Sequence, residues 1–328
     1  MTSPAQPDKP APSTAASGPH PARQSDPRTG FDVAGVAFRN PFLGASGCFG
    51  YGAEYAQLID LGRIGGFVTK SLTVLPREGN PTPRIAETPA GMLNSIGLEN
   101  CGLDLFLQKK VPLLEFLDTT VLVNVAGACF DDYIQVVART ETCAAIDGFE
   151  INVSCPNVKE GCMSIGTDAA QTRALMKELR PLTKKPLIVK LSPNVTSPAA
   201  IGCAAAEQGA DGLSLINTLL GMAVDVEKRA PRVAMITAGL SGPAIRPVAV
   251  RMCREVCQAL PELPVLGMGG IVSVEDALEF IMVGCRAVQV GTANYIDPTA
   301  IERLPGELLA WMDRHGVKTL AEIVGCVK

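Results

Sequence analysis

The sequence predicts an α/β chain folded as a (β/α)8 barrel, with an N-terminal hairpin and a long insertion after the second strand. Three observations predict it. Eight apolar, β-rich runs recur along the chain. Helical patterns separate most of them. Polar residues collect where the runs end, at the C-terminal mouth where such a barrel keeps its chemistry.

The runs are Leu43–Gly47, Gly66–Lys70, Val121–Ala126, Gly148–Ser154, Leu187–Ser192, Gly212–Thr218, Pro264–Gly269 and Ala287–Thr292. They are apolar nearly throughout, as strands are when both faces are covered. Helical patterns lie at Glu54–Leu61, Asp132–Ala145, Ala169–Leu179, Ala199–Gln208, Ile245–Ala259 and Val274–Val283. Ser197-Pro198 and Ser273-Val274-Glu275-Asp276 have the form of helix starts. Phe31 to Phe42 alternates around Gly35 and predicts a short hairpin. The gap between the second and third strands is too long for one helix. Leu72 to Leu117, with its Pro, Gly and Asn, is therefore an insertion forming part of a rim or lid. Residues 1–30 are rich in Pro, Ala and Ser with almost no large apolar side chains, and predict a disordered tail before a barrel domain at 31–328. The alternative is an open doubly wound sheet. It calls for Gly-x-Gly-x-x-Gly after the first strand, where Gly44-Ala45-Ser46-Gly47 stands instead.

Composition narrows the function. A net charge of −4 opposes a nucleic-acid or anionic-membrane partner. No apolar run reaches the ~18 residues of a membrane span, and the N-terminus lacks the apolar core of a secretory signal. The 11 cysteines sit at irregular spacings, several inside apolar runs, which suggests reduced thiols and a cytoplasmic location. No Cys-x-x-Cys occurs, so neither an iron–sulfur cluster nor a structural metal is expected in this chain. His20 and His315 are the only histidines, which effectively excludes a histidine base.

The strand ends carry, in order, Ser46, Lys70-Ser71, Asn124, Asn152, Lys190, Asn217-Thr218, Gly269-Gly270 and Gly291-Thr292. Just beyond Asn152, Cys155 stands between Asn152 and Asn157. A free cysteine is commonly a small buried hydrophobe, but polar groups at this many matching positions need partners. Together they make a lining of amides and cations suited to a planar, polar, anionic ligand. The glycines that end the seventh and eighth runs, with Gly239 to Gly242, suit a phosphate held by backbone N–H groups and a helix N-terminus. As a bland alternative they only make tight turns. Lys190 suits a cofactor that becomes anionic on reduction, and Lys70 a substrate carboxylate. Asn94-Ser95-Ile96-Gly97-Leu98, in the insertion, offers an amide and a glycine turn to a heterocycle edge.

Thr69-Lys70-Ser71, Pro76 to Pro81, Asn94 to Leu98, Asn152 to Val158, Val189 to Asn194, Ile216-Asn217-Thr218, Gly239 to Gly242 and Gly267 to Ile271 together resemble the class 1 dihydroorotate dehydrogenases. The likeness runs from about Phe31 to the C-terminus. It implies an FMN-binding catalytic domain that oxidises dihydroorotate to orotate in pyrimidine synthesis. FMN would contact Ser46, Lys70, Ser71, Asn124, Asn152, Lys190, Ile216, Gly242, Gly269, Gly270, Gly291 and Thr292. Substrate would contact Lys70, Asn94, Ser95, Ile96, Gly97, Leu98, Asn152, Asn157, Asn217 and Thr218. Cys155 would be the base that takes the C5 proton while hydride leaves C6.

Arg84 to Pro89, Val123 to Gly127 and Ile216 to Met222 resemble the 1B subset. That subset implies a separate subunit carrying FAD and [2Fe–2S], electrons passed to NAD+, and a homodimer core within a heterotetramer. The fumarate-using 1A subset and a dihydropyrimidine dehydrogenase-like subunit are the alternatives. Membrane-bound class 2 enzymes have Ser at the base position, so Cys155 and the polar tail oppose quinone use. One departure stands out. Where the family has a Gly-Gly-x-x-Phe-Gly type loop, this chain has Gly161-Cys162-Met163-Ser164-Ile165-Gly166. Outside the resemblance, a non-catalytic flavin-binding barrel and a flavin-free phosphate-binding aldolase or isomerase barrel stay open.

Overall fold

The computed structural model describes residues 26–154 and 165–327. Eight parallel strands close into a barrel: β1 Phe42–Gly44, β2 Gly66–Val68, β3 Thr120–Val125, β4 Gly148–Asn152, β5 Leu187–Lys190, β6 Gly212–Leu215, β7 Val265–Met268 and β8 Ala287–Val290. Each pairs with its neighbour in chain order, and Val288 of β8 pairs with Phe42 of β1 to close the ring. Every apolar run of the sequence overlaps one of these strands, the first and third strands beginning one residue earlier, at Phe42 and Thr120.

Helices at Phe130–Thr140, Ala169–Leu179, Pro198–Ala206, Arg246–Ala259, Val274–Met282 and Ala300–His315 cover the outside. Ser197 and Ser273 cap the third and fifth of these, accepting from Ala200 N and Asp276 N. The pattern at Glu54–Leu61 is not an α-helix. It forms two single 3-10 turns, Tyr55–Gln57 and Leu61–Arg63. Gly50 and Gly52 before it hold positive φ, and the Asp60 side chain accepts from Gly62 N, so no helical run propagates. The helix Ala300–His315, which the sequence reading leaves unassigned, ends at a left-handed Gly316.

Inside the barrel the strands alternate, with successive side chains facing in and out. At the lower level Leu43, Val68, Leu122, Ile188, Leu266 and Ala287 form one buried cluster with Val33 and Phe38. Those last two come from the hairpin Phe31–Val33 and Val36–Phe38, which plugs the bottom of the barrel. Two residues further along β3, β5 and β8, on the same face, stand Asn124, Lys190 and Gln289. The interior is thus apolar below and polar above, towards the mouth.

The chain is packed slightly earlier than its composition suggests. Thr29 is buried, Asp26 N donates to Arg39 O, and Arg28 donates to the carbonyls of Val317 and Lys318 and pairs with Asp313. The insertion is more regular than a plain loop. It contributes strands Ile85–Thr88 and Gly91–Asn94 and a helical stretch from Leu103 to Leu114. The two strands join Leu219–Met222 and Thr237–Ser241 in a four-stranded antiparallel sheet beside the mouth.

Candidate functional site

The strand ends open into one cavity of about 730 Å³, within the range of small-molecule and cofactor sites. From β1 come Ser46 and the part-buried thiol of Cys48; from β2, Lys70 and Ser71. From β4 comes Asn152, from β5 Lys190, and from the chain after β6 Ile216, Asn217 and Thr218. Gly269 and Gly270 follow β7, and Gly291 and Thr292 follow β8. The accessory sheet adds Asn94, Ser95, Ile96, Gly97, Leu98 and Gly242. Asn124 does not line the cavity but is sealed beneath it with no accessible surface. Cys155, Asn157 and Cys162 lie outside the described residues.

Each side chain is held for a local reason. Asn152 Oδ1 accepts from Ser154 N at 3.2 Å and from Asn217 Nδ2 at 3.5 Å, which ties β4 to the chain after β6. Lys70 N donates to Gly50 O at 2.7 Å, and among the described residues its ammonium pairs with no carboxylate. The Asn94–Leu98 loop hangs on Asn80, whose Nδ2 donates to Ser95 O at 3.0 Å and whose N donates to Ile96 O at 3.0 Å. Gly97 and Leu98 both hold positive φ there.

At the far wall the backbone comes close. A Cβ on Gly270 would lie 2.8 Å from Gly242 O, and one on Gly242 would lie 2.6 Å from Gly91 Cα. Gly269 and Gly270 hold φ of 130° and 73°. Among the described residues, the N–H groups of Gly269, Gly270, Gly291 and Thr292 donate to no backbone carbonyl. Backbone donors without partners, in a cradle that side chains would fill, fit a phosphate. The helix N-terminus expected to share that task is already occupied. Asp276 Oδ2 accepts from Val272 N at 2.9 Å and Ser273 N at 3.0 Å, and Arg246 pairs with Asp276. The cradle is therefore glycine backbone after β7 and β8 rather than that helix end.

Two further residues, unremarked in the sequence reading, shape the floor. Glu150 has no accessible surface. Its Oε1 accepts from Asn124 Nδ2 at 2.7 Å and faces Lys190 Nζ at 3.4 Å; its Oε2 accepts from Ser214 Oγ at 2.8 Å and Gln289 Nε2 at 2.7 Å. The carbonyl oxygens of Asn124 and Gln289 are left buried without a partner. Gln289 borders the cavity, and its buried oxygen is an acceptor that no group among the described residues satisfies. The signal for both was a polar residue at an inward position of a buried strand. A lower-wall thiol, Cys48, is pushed up by burial, against the lowering influence of Tyr295, Lys190 and Lys70, so it stays protonated where an ordinary thiol begins to ionise.

Comparison with known proteins gives this cavity its family. The family model for dihydroorotate dehydrogenase matches residues 30–312. The chain belongs to the dihydroorotate dehydrogenase family. Among curated members, a protein of Pelobacter propionicus is 50% identical over 297 residues, covering 90% of this chain and 97% of its own. One from Geobacter sp. strain M21 is 48% identical, covering 90% and 97%. One from Geotalea uraniireducens is 48% identical, covering 92% and 98%. All three are named dihydroorotate dehydrogenase B (NAD(+)), catalytic subunit. The family match begins at the hairpin that plugs the barrel and spans every strand that feeds the dihydroorotate dehydrogenase cavity.

Proposed function

We propose that this chain is the catalytic subunit of an NAD+-linked dihydroorotate dehydrogenase, oxidising dihydroorotate to orotate with FMN in the cavity at the barrel mouth. The observation that carries the reading is the convergence of three unlike features in one cavity. They are the glycine cradle with unpaired N–H groups, the buried acceptor of Gln289 beside the Lys190 ammonium, and Lys70 with the amides of Asn94, Asn152 and Asn217.

FMN, when bound, supplies an acceptor for the hydride that leaves C6 of the substrate. Gly269, Gly270, Gly291 and Thr292 would hold its phosphate, with Ser46, Ser71, Ile216 and Gly242 as neighbouring wall. Lys190 would place a fixed positive charge against the ring, where reduction adds negative charge. Lys70 would bind the substrate carboxylate as a free ammonium. Asn94, Asn152, Asn217 and Thr218, with the Ser95–Leu98 backbone, would bind the amide edges of the substrate. Asn157 would contact the substrate, and Cys155 would remove the C5 proton. Such a positioned base contributes roughly 10²–10⁴-fold.

The reading includes a partner subunit carrying FAD and [2Fe–2S] that passes electrons to NAD+, on a homodimer of this chain. The relatives' names, which describe catalytic subunits, support a partner. So does a row of exposed apolar side chains on and beside the accessory sheet, Leu220, Met222, Val224, Val226 and Ile236, more than an unpartnered surface needs. The nine described cysteines are all unpaired, which supports a reducing, cytoplasmic setting. No helix among the described residues is long and apolar enough to cross a membrane.

The test is anaerobic mixing of the purified protein with dihydroorotate. The reading expects a yellow protein whose flavin bleaches on mixing, and reoxidation by NAD+ once the co-purified partner is present. A colourless protein that takes up no FMN overturns it. Reoxidation by fumarate alone would move it to the 1A subset.

A further inference from the structure

Glu150 is the most enclosed charged residue of the barrel, with no accessible surface. It touches neither the cavity nor solvent. From β4 it gathers Asn124 of β3, Lys190 of β5, Ser214 of β6 and Gln289 of β8. Five of the eight strands therefore meet on one carboxylate. Such a group is costly to bury and persists only when it is fully paired. Here each oxygen has two partners, so the pairing is complete.

The chemistry of a carboxylate decides what its neighbours can present. It accepts and does not donate. Each amide that meets it must therefore turn its NH₂ group towards it. Gln289 does so at 2.7 Å, and its carbonyl oxygen is turned away, buried and without a partner. Lys190 is held at 3.4 Å by the same carboxylate. Both Gln289 and Lys190 line the cavity, and Glu150 does not.

We infer that Glu150 is a positioning residue for the cofactor. Its buried carboxylate fixes the Lys190 ammonium and the Gln289 amide so that the cavity floor presents one cation and one bare carbonyl acceptor side by side. A ring that carries an N–H donor next to a site of developing negative charge matches that pair. Gln289 is thereby assigned as a ligand contact, through its oxygen. The inference rests on the flavin reading above. A glutamine at position 150 would keep the volume but carry both a donor and an acceptor. It would release Gln289 to rotate and leave Lys190 without its counter-charge.

The test is titration of the apoprotein with FMN, together with the midpoint potential of the bound flavin, for wild type, Glu150→Gln, Lys190→Met and the double variant. Glu150→Gln is expected to weaken FMN binding roughly tenfold or more, the scale of a lost hydrogen bond to a charged group, and to shift the midpoint. The two single losses should be coupled, the double variant losing clearly less than their product. The double variant removes both charges of a buried pair and so folds even if one single variant does not; its affinity against Lys190→Met then carries the comparison. If Glu150→Gln alone does not fold, the double variant should bind FMN more weakly than Lys190→Met, because Gln289 is still released in it, and equal affinity of the two overturns the assignment of Gln289. Wild-type affinity and midpoint in Glu150→Gln overturn the inference. So do fully multiplicative losses, or a lower melting temperature with unchanged FMN binding, which would make Glu150 structural only. Wild-type protein that takes up no FMN overturns the flavin reading itself, and the inference with it.

Discussion

Gly270 and Gly242 meet so closely that a Cβ on Gly270 would lie 2.8 Å from the Gly242 carbonyl oxygen. One belongs to the turn after β7 and the other to the end of the accessory sheet. The wall between them is backbone on both sides, and Gly270 holds φ of 73°. Gly270→Ala is expected to lose affinity for FMN by roughly tenfold or more, while the protein still unfolds cooperatively, because the backbone shift falls on the cradle. Fluorescence titration of the apoprotein checks this. Unchanged affinity would remove the glycine pair from phosphate binding.

Lys70 has a different task from Lys190. Lys190 is paired with Glu150, whereas the Lys70 ammonium meets no carboxylate among the described residues. Lys70→Ala is therefore expected to raise KM for dihydroorotate and to lower kcat/KM by roughly 10²-fold, as loss of a charged partner does. Steady-state kinetics separate the two terms. A normal kcat/KM would take the substrate carboxylate elsewhere.

Two thiols compete for the role of base. Cys155→Ala should keep the bound flavin and lose roughly 10²–10⁴-fold in flavin reduction by substrate. Cys48→Ala should leave that rate within about threefold. Burial raises the Cys48 pKa, so its thiolate form appears only above the ordinary thiol range. The sign is testable by alkylation. Cys48 should react slowly with iodoacetamide at neutral pH and faster as pH rises. Rapid labelling of Cys48 at neutral pH would contradict the burial argument.

The hairpin plug makes a prediction about stability rather than chemistry. Phe38 is fully buried, stacked on Phe31 with ring centroids 4.6 Å apart, and packed on the lowest inward layer of the barrel. Phe38→Ala should cost about 3–5 kcal/mol of unfolding free energy through the cavity left behind. Chemical denaturation checks this. The FMN affinity of the folded variant should stay near wild type, since the polar layer lies above the plug.

The sequence by itself determined the barrel. Each strand is short and apolar nearly throughout, and two of the helices begin at a serine start signal, Ser197 and Ser273, so local chemistry marks most of them. It also determined most of the mouth, because Lys70, Asn152 and Lys190 interrupt apolar runs at the same relative position. What it could not decide was pairing between distant segments. The accessory sheet joins Asn94 to Gly239 across 145 residues, and neither strand shows the alternation that would reveal a shared face. Only tertiary structure decided what Glu150 and Gln289 do. In a strand covered on both sides, one polar residue gives no sign of which way it faces. Closing the ring brings five strands' inward residues to one point, and there a single acceptor-only group sets the orientation of its neighbours.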